Sequence, residues 1–539
     1  MKKKQAAAVF FCAFFLQTGT LPAGAAELQP AAASAAAVSQ IQGDFPDPAE
    51  AGMEYALNRR KFKGYKGRGT IILTNHGAKA AAVFVNGRRI PYQPSAAEQA
   101  PVRIDIGAYT QDGDNTLKVL NLSPADARLE VTIPYPEVTE GTPAQAGFRE
   151  AKLARVDEVL RNDVKNGFPG AVLLVLKNGR IVKETAYGWA QLYDRFTLLP
   201  ESQRSPMTVH TMFDLASNTK MYATILALMK LTDEGLVDPE APVARYLPDY
   251  TGDGRENVLV RDVMTHSAGY APDVFFHQPA RAGDLYSCQR ERTLQLLNQV
   301  PFVYPTGSKT VYSDTDYMLL TALIERVTGQ RLDTYVEQNI YQPLGLRHTL
   351  FNPLRKGFLP REFAATEDCG NTRGGQVSFP GVRTATIRGE VQDEQAYYSM
   401  DGVSGHAGLF SQARDLAVLA QLLLNRGGYG SYYLCSPQVF DAYTKPTDRN
   451  PGMGLGWNKM TGAKRVWEFG PYASSEAIAH SGWTGTDICI DPRYDLAIIL
   501  LTNRVHAPAV PGRNAFAADD MAADSYGSIL SLVYEAFLE

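Results

Sequence analysis

Phe213-Asp214-Leu215-Ala216-Ser217-Asn218-Thr219-Lys220 opens a run that continues in helical style to Asp233. Residues three apart share a helix face, so the Ser217 hydroxyl and the Lys220 amine meet one turn apart. Serine is a weak nucleophile until a base takes its proton, and a desolvated lysine is such a base. Backbone N–H groups at a helix start can stabilise a developing oxyanion. The stretch reads as a serine acyl-transfer site that uses lysine in place of histidine. No Gly-x-Ser-x-Gly elbow accompanies it, which disfavours an α/β-hydrolase.

The chain of 539 residues suggests two to four domains, and 45% hydrophobic content suits a sizeable core. A formal net charge of −4 without a dense basic run speaks against nucleic acid or an anionic membrane as partner. Lys2, Lys3 and Lys4, then an apolar stretch over 6–16, then Ala23-Gly24-Ala25 read as a signal peptide over residues 1–25. Export to the periplasm or cell envelope is expected, with anchoring in the inner membrane by an uncleaved signal as the alternative. Cys288, Cys369, Cys435 and Cys489 show no Cys-x-x-Cys spacing and no histidine cluster, so no zinc site is expected.

Outward from the nucleophile, the chain divides by pattern. Residues 26–51, rich in Ala, Ser and Pro, read as a flexible linker. Residues 52–137 carry short strands at 70–73, 81–85, 102–106, 115–119 and 129–133, with an Asn86-Gly87 turn, and read as a β-sandwich. The phrases VFVNGRRI, DGDNTLKV and VTIPYPEV resemble galactose-binding-like jelly rolls, which implies a carbohydrate-facing module or a structural spacer. Residues 138–148 read as a second linker. Residues 149–539 read as one α/β (α+β) unit: a helix over 149–165, a hairpin over 171–185 turning at Asn178-Gly179, a helical insert, strands at 486–491 and 496–502, and a closing helix over 521–538.

The large unit resembles the serine β-lactamase and penicillin-binding protein superfamily, in its class C β-lactamase-like branch. The stretches FDLASNTKMYATILALMKLTDEGL, VRDVMTHSAGY, YPTGSKTVYSDTDYMLL and GVSGHAGLFS follow that family's order, and TIRGEVQDEQAYYSMDGVSGHAGLFS is similar to the penicillin-binding protein 4B type. The resemblance implies an antiparallel sheet flanked by helices with a helical subdomain. It implies Ser217, Lys220 and Tyr312 as catalytic residues. Asp314, His480, Ser481, Gly482 and Trp483 then bind substrate, and the N–H groups of Ser217 and Trp483 form the oxyanion site. No metal or organic cofactor is implied.

Two motifs depart from the family. Tyr312-Ser313-Asp314 stands where Tyr-x-Asn is usual, and His480-Ser481-Gly482 stands where Lys-Thr-Gly is usual. Asp314 only accepts hydrogen bonds when ionised, so it is expected to pair with Lys220 or to accept from a substrate N–H. Burial is expected to lower the Lys220 pKa, leaving open whether Lys220 or Tyr312 is the base. His480 and Ser481 are expected to receive a substrate carboxylate. If His480 does so as a cation, peptide cleavage falls as pH rises through its pKa. Gly482 is expected to leave room for an extended substrate, and His266 and His406 read as structural.

The resemblance implies a penicillin-binding serine-type D-Ala-D-Ala carboxypeptidase acting on peptidoglycan stem peptides and acylated by β-lactams, in a monomer. The alternatives are a β-lactamase or esterase on the same scaffold, or a catalytically weak wall-binding or sensor protein.

Overall fold

The computed structural model describes residues 41–45, 59–95, 100–124 and 126–538. The expected signal peptide lies outside them. Among the described residues no helix is long and apolar enough to cross a membrane, and the four cysteines are free thiols.

The catalytic unit is built on an eight-stranded sheet. Its order is Ser205–Pro206, Arg180–Gln191, Gly170–Lys177, Leu496–Thr502, Thr486–Asp491, Ile478–Gly482 and Asn458–Lys459, all antiparallel. Thr139–Glu140 adds in parallel beside Arg180–Ile181. The two central strands, Gly170–Lys177 and Leu496–Thr502, are apolar up to their last residues, Lys177 and Thr502, because both faces are covered. Val172, Leu174 and Leu176 join the core that contains the nucleophile helix, while Ala171, Leu173 and Val175 join the core on the opposite face. Leu496–Thr502 alternates in the same way. Helices Arg155–Lys165 and Tyr526–Leu538 cover that second face. The closing helix is shorter than the expected 521–538, because Asp524 turns aside to pair with Arg504 at 2.9 Å.

The N-terminal strands form two four-stranded antiparallel sheets around their own core of Phe62, Ile71, Val83, Leu117 and Val131. One strand, Ile41–Phe45, pairs with Arg128–Ile133 although it falls within the expected linker over 26–51. Its partner is some ninety positions away in sequence, so composition alone reads the segment as loose. The second linker is pinned as well: Thr139–Glu140 joins the sheet, and Gly141 N–H bonds Ile181 O at 3.0 Å.

The sandwich rests against the ends of the sheet strands near Asn178 and Asp495. Lys63 pairs with Asp495 and donates to Leu424 O at 2.9 Å, and Arg68 donates to Gly179 O at 3.0 Å. The nucleophile lies toward the other end of the strand Leu496–Thr502, where Thr502 bonds Gly485.

Candidate active site

The strand Phe213–Asp214 pairs with Leu409–Ser411 and delivers the chain to a tight turn, Ala216–Asn218. The buried Asp214 carboxylate accepts the N–H of Ala216 at 2.9 Å and of Gln392 at 2.6 Å. Burial raises its pKa to about 6. Ala216 has φ +46°, a left-handed conformation that a residue with a side chain adopts only when its surroundings force it. Ser217 follows directly. The expected helix from Ser217 onward is therefore not regular: the turn passes into a wide coil, Lys220–Ile225, before the α-helix Leu226–Asp233 begins. Such wide turns recur at functional sites.

Strand Ile478–Gly482 runs beside this turn. A Cβ at Gly482 would fall 2.4 Å from Leu215 O and 2.4 Å from Thr486 Oγ1. The glycine thus makes room for the nucleophile turn itself. Asn218 Nδ2 donates to Thr486 O at 3.2 Å, which ties the turn to the next strand.

Three groups meet at Ser217 Oγ. Tyr312 Oη lies at 2.8 Å and Lys220 Nζ at 3.0 Å. Lys220 also donates to Asp314 Oδ1 at 2.8 Å and to His406 O at 3.2 Å, so all three ammonium protons have acceptors. Burial by itself would lower the Lys220 pKa, but the Asp314 carboxylate and Tyr312 more than offset it, and the net direction is upward. The expectation of a lysine brought toward neutrality is not met: Lys220 stays a cation. Tyr312 is 44% exposed, yet its hydroxyl is confined against Ser217, and burial there raises its pKa while Lys220 opposes the rise.

Tyr312 lies between two imidazoles, with ring centres 4.5 Å from His266 and 6.3 Å from His480. His266 Nδ1 meets Asp316 Oδ2 at 2.8 Å. Burial drives the imidazole pKa down and the carboxyl pKa up. His480 is buried, and burial together with Lys220 lowers its pKa to about 3. Its Nδ1 lies 2.8 Å from Ser481 O, which fixes Nδ1 as the protonated nitrogen. A neutral imidazole with that proton engaged cannot serve as the cation for a substrate carboxylate. A nearby cation is Arg465, which lines the same cavity as His480 and Arg504 and whose charge helps to lower the His480 pKa. Arg465 Nη1 lies 3.2 Å from Glu468, one contact for a guanidinium with five N–H donors. It stands fifteen residues before the motif, and no local pattern marks it.

Two cavities open from Ser217. One, of about 600 Å³, holds Tyr312, Arg465, Trp467, His480, Ser481, Gly482 and Trp483. The other, of about 580 Å³, holds Asp273, Asp314, Asp393 and three arginines. Ser217 and Trp483, whose N–H groups are the expected oxyanion donors, both line each cavity. Beside Lys220, His406 Nε2 pairs with Asp393 Oδ1 at 2.9 Å, and the carboxylates of Asp393 and Asp314 raise the His406 pKa despite its burial. Asp314, Asp393 and His406 bring ligand atoms within 4.8 Å of one another. The Lys220 ammonium already bonds this cluster, and a dication there would face it at close range.

The family profile described as "Beta-lactamase" matches residues 156–522. A Bacillus subtilis protein named N-acetylmuramyl-L-alanine amidase is 47% identical over 410 residues, 74% of this chain and 92% of its own length. An Escherichia coli protein whose name proposes a D-alanyl-D-alanine carboxypeptidase is 44% identical over 411 residues, 75% of this chain and 94% of its own. Among solved structures, a penicillin-binding protein homologue from Caulobacter crescentus aligns with a TM-score of 0.50 at 21% identity, over 71% of this chain and 97% of that one. EstCE1, described as a hydrolase with promiscuous acyltransferase activity, aligns at 0.52 and 24%, over 71% and 99%. These two likenesses speak to the fold.

Proposed function

This chain belongs to the β-lactamase family, and from that premise we propose that it is a serine hydrolase of peptidoglycan stem peptides, removing the terminal D-alanine of D-alanyl-D-alanine through a Ser217 acyl-enzyme. The meeting of Tyr312 and Lys220 on Ser217 Oγ carries the reading. Ser217 Oγ attacks the scissile carbonyl carbon as Tyr312 Oη takes its proton and passes its own to the leaving nitrogen. The C–N bond breaks and an ester remains on Ser217. Water then attacks the ester, and the proton returns to Ser217 by the same path. With Lys220 protonated, Tyr312 is the relay, and the ammonium stabilises negative charge on either oxygen. The N–H groups of Ser217 and Trp483 receive the oxyanion, each such donor being worth about 3 kcal/mol of barrier.

In this reading Arg465 takes the substrate's terminal carboxylate. Arg465→Gln should lower kcat/KM on a C-terminal acid by about tenfold or more while a C-terminal amide is much less affected, the size expected for a lost charge-assisted hydrogen bond. Equal losses on acid and amide would remove Arg465 from that role. The first test of the whole reading is intact mass after incubation with a penicillin, beside Ser217→Ala. An adduct on Ser217 with release of D-alanine from a stem peptide supports it, and rapid penicillin loss without an adduct would make the chain a lactamase.

A second reading has its own support. The Bacillus subtilis relative is named for the muramyl–L-alanine amide, and two exposed tryptophans line the cavity of Arg465 and His480. Product analysis on a muropeptide separates the two: D-alanine for the first reading, a free muramyl sugar acid for the second. Export to the periplasm or cell envelope, a monomeric state and a carbohydrate-facing sandwich are further proposals that rest on the sequence patterns described above.

A further inference from the structure

The chain has four tryptophans. Trp457 is fully buried and Trp189 partly so, whereas Trp467 is 48% and Trp483 37% exposed. Both exposed indoles line one cavity, and Ser217 lies on its wall. Large apolar rings left in water cost free energy that a ligand recovers by covering them, and such patches mark binding sites. Neither ring is a loose surface group. Trp467 leans on Tyr526 with ring centres 6.2 Å apart, Trp483 leans on Phe516 at 6.3 Å, and the Arg504 guanidinium lies 5.5 Å from the Trp483 ring centre.

The remaining lining is polar, with Arg465, Arg504 and Asp524 as its charged groups. His480 is neutral, and Thr310, Asn450 and Ser481 offer hydroxyl and amide groups. Arg504 is already paired with Asp519 and Asp524. Flat apolar faces beside neutral donors and acceptors suit a pyranose: its C–H faces cover indole, and its hydroxyl and acetamido groups bond the rim.

We propose that this cavity binds an N-acetylated amino-sugar ring, joined through its lactyl group to the scissile amide, against Trp467 and Trp483. The inference rests on the second reading above. The sugar is then part of the acyl group: Ser217 forms an ester with the lactyl carbonyl, the amide C–N bond breaks, and the alanine nitrogen receives the proton through Tyr312. Water releases the sugar acid and restores the serine proton.

Two measurements on the full chain test it. The first compares kcat/KM for N-acetylmuramyl-L-Ala-D-Glu with that for D-lactyl-L-Ala-D-Glu, the same amide without the ring. The sugar-bearing substrate should be preferred by about tenfold or more, the scale of a large apolar contact. Trp467→Ala should collapse the ratio, and Trp467→Phe should keep most of it. The second titrates N-acetylmuramic acid against indole fluorescence, expecting saturable quenching that Trp467→Phe reduces. Equal cleavage of both substrates would overturn the sugar site and leave the amidase reading intact. Cleavage of neither, with saturable quenching, would sustain the sugar site and end the amidase reading. Cleavage of neither, without quenching, would end both.

Discussion

Replacing the Asp314 carboxylate by the amide of asparagine removes the main group that holds the Lys220 proton, and burial, now opposed chiefly by Tyr312, moves the amine pKa down. If the ammonium is the working form, activity is lost as pH rises through its pKa. The basic limb of kcat/KM in Asp314→Asn should therefore move to lower pH, and superimposable pH profiles would show that Asp314 does not set the charge of Lys220. His480, with a pKa of about 3, should contribute no limb near neutrality. His480→Asn should keep the profile's shape; the disappearance of a limb near pH 6.5 would mean the imidazole titrates after all. At this scale the sequence is informative where chemistry sits in a short motif, as with Ser217, Lys220, Tyr312 and Asp314. It is silent where chemistry depends on residues far apart. Asp214 works through Gln392, 178 positions on, and Arg465 acts at His480 only because two segments fold together. Lys220 misleads for the same reason: its burial is legible from an apolar helix, but its charge is set by a carboxylate 94 positions away.

The nucleophile turn and the strand Ile478–Gly482 behave as one element. Gly482→Ala would push a methyl group into Leu215 O and Thr486 Oγ1 and displace the turn that carries Ser217. The expected outcome is loss of acylation by about a hundredfold, the scale of a 1 Å misplacement, with little change in far-UV circular dichroism. Normal acylation by Gly482→Ala would mean that the turn yields without cost. The left-handed Ala216 stores strain next to the nucleophile. Ala216→Gly should relieve it in the folded state and raise the flexibility of the turn, so thermal stability and acylation rate need not move together. Hairpin and strand positions at 171–185, 486–491 and 496–502 are legible because apolar runs bounded by turns report strands directly. The coil Lys220–Ile225 is not, since its residues would serve a regular helix equally well.

On the scale of the molecule, the sandwich meets the sheet at Asn178 and Asp495, while the nucleophile lies toward the far end of the seven-residue strand Leu496–Thr502. Seven residues of strand span about 23 Å. Removing residues 1–137 should therefore lower the melting temperature, through lost contacts such as Lys63–Asp495 and Tyr65–Gln421, while kcat/KM on a small ester stays within about twofold. A large loss of ester turnover in a folded truncation would place the sandwich in the catalytic machinery. That two sheets occur ahead of the catalytic unit is legible from the spacing of short strands; how they attach is not, because the attaching residues are ordinary charged and aromatic side chains. The pairing of Thr139–Glu140 with Arg180–Ile181 has a mechanical consequence. A module on a slack tether lets a nucleophile sweep a sphere of targets. Here the tether is stitched into the sheet, so the sandwich and Ser217 keep one set separation.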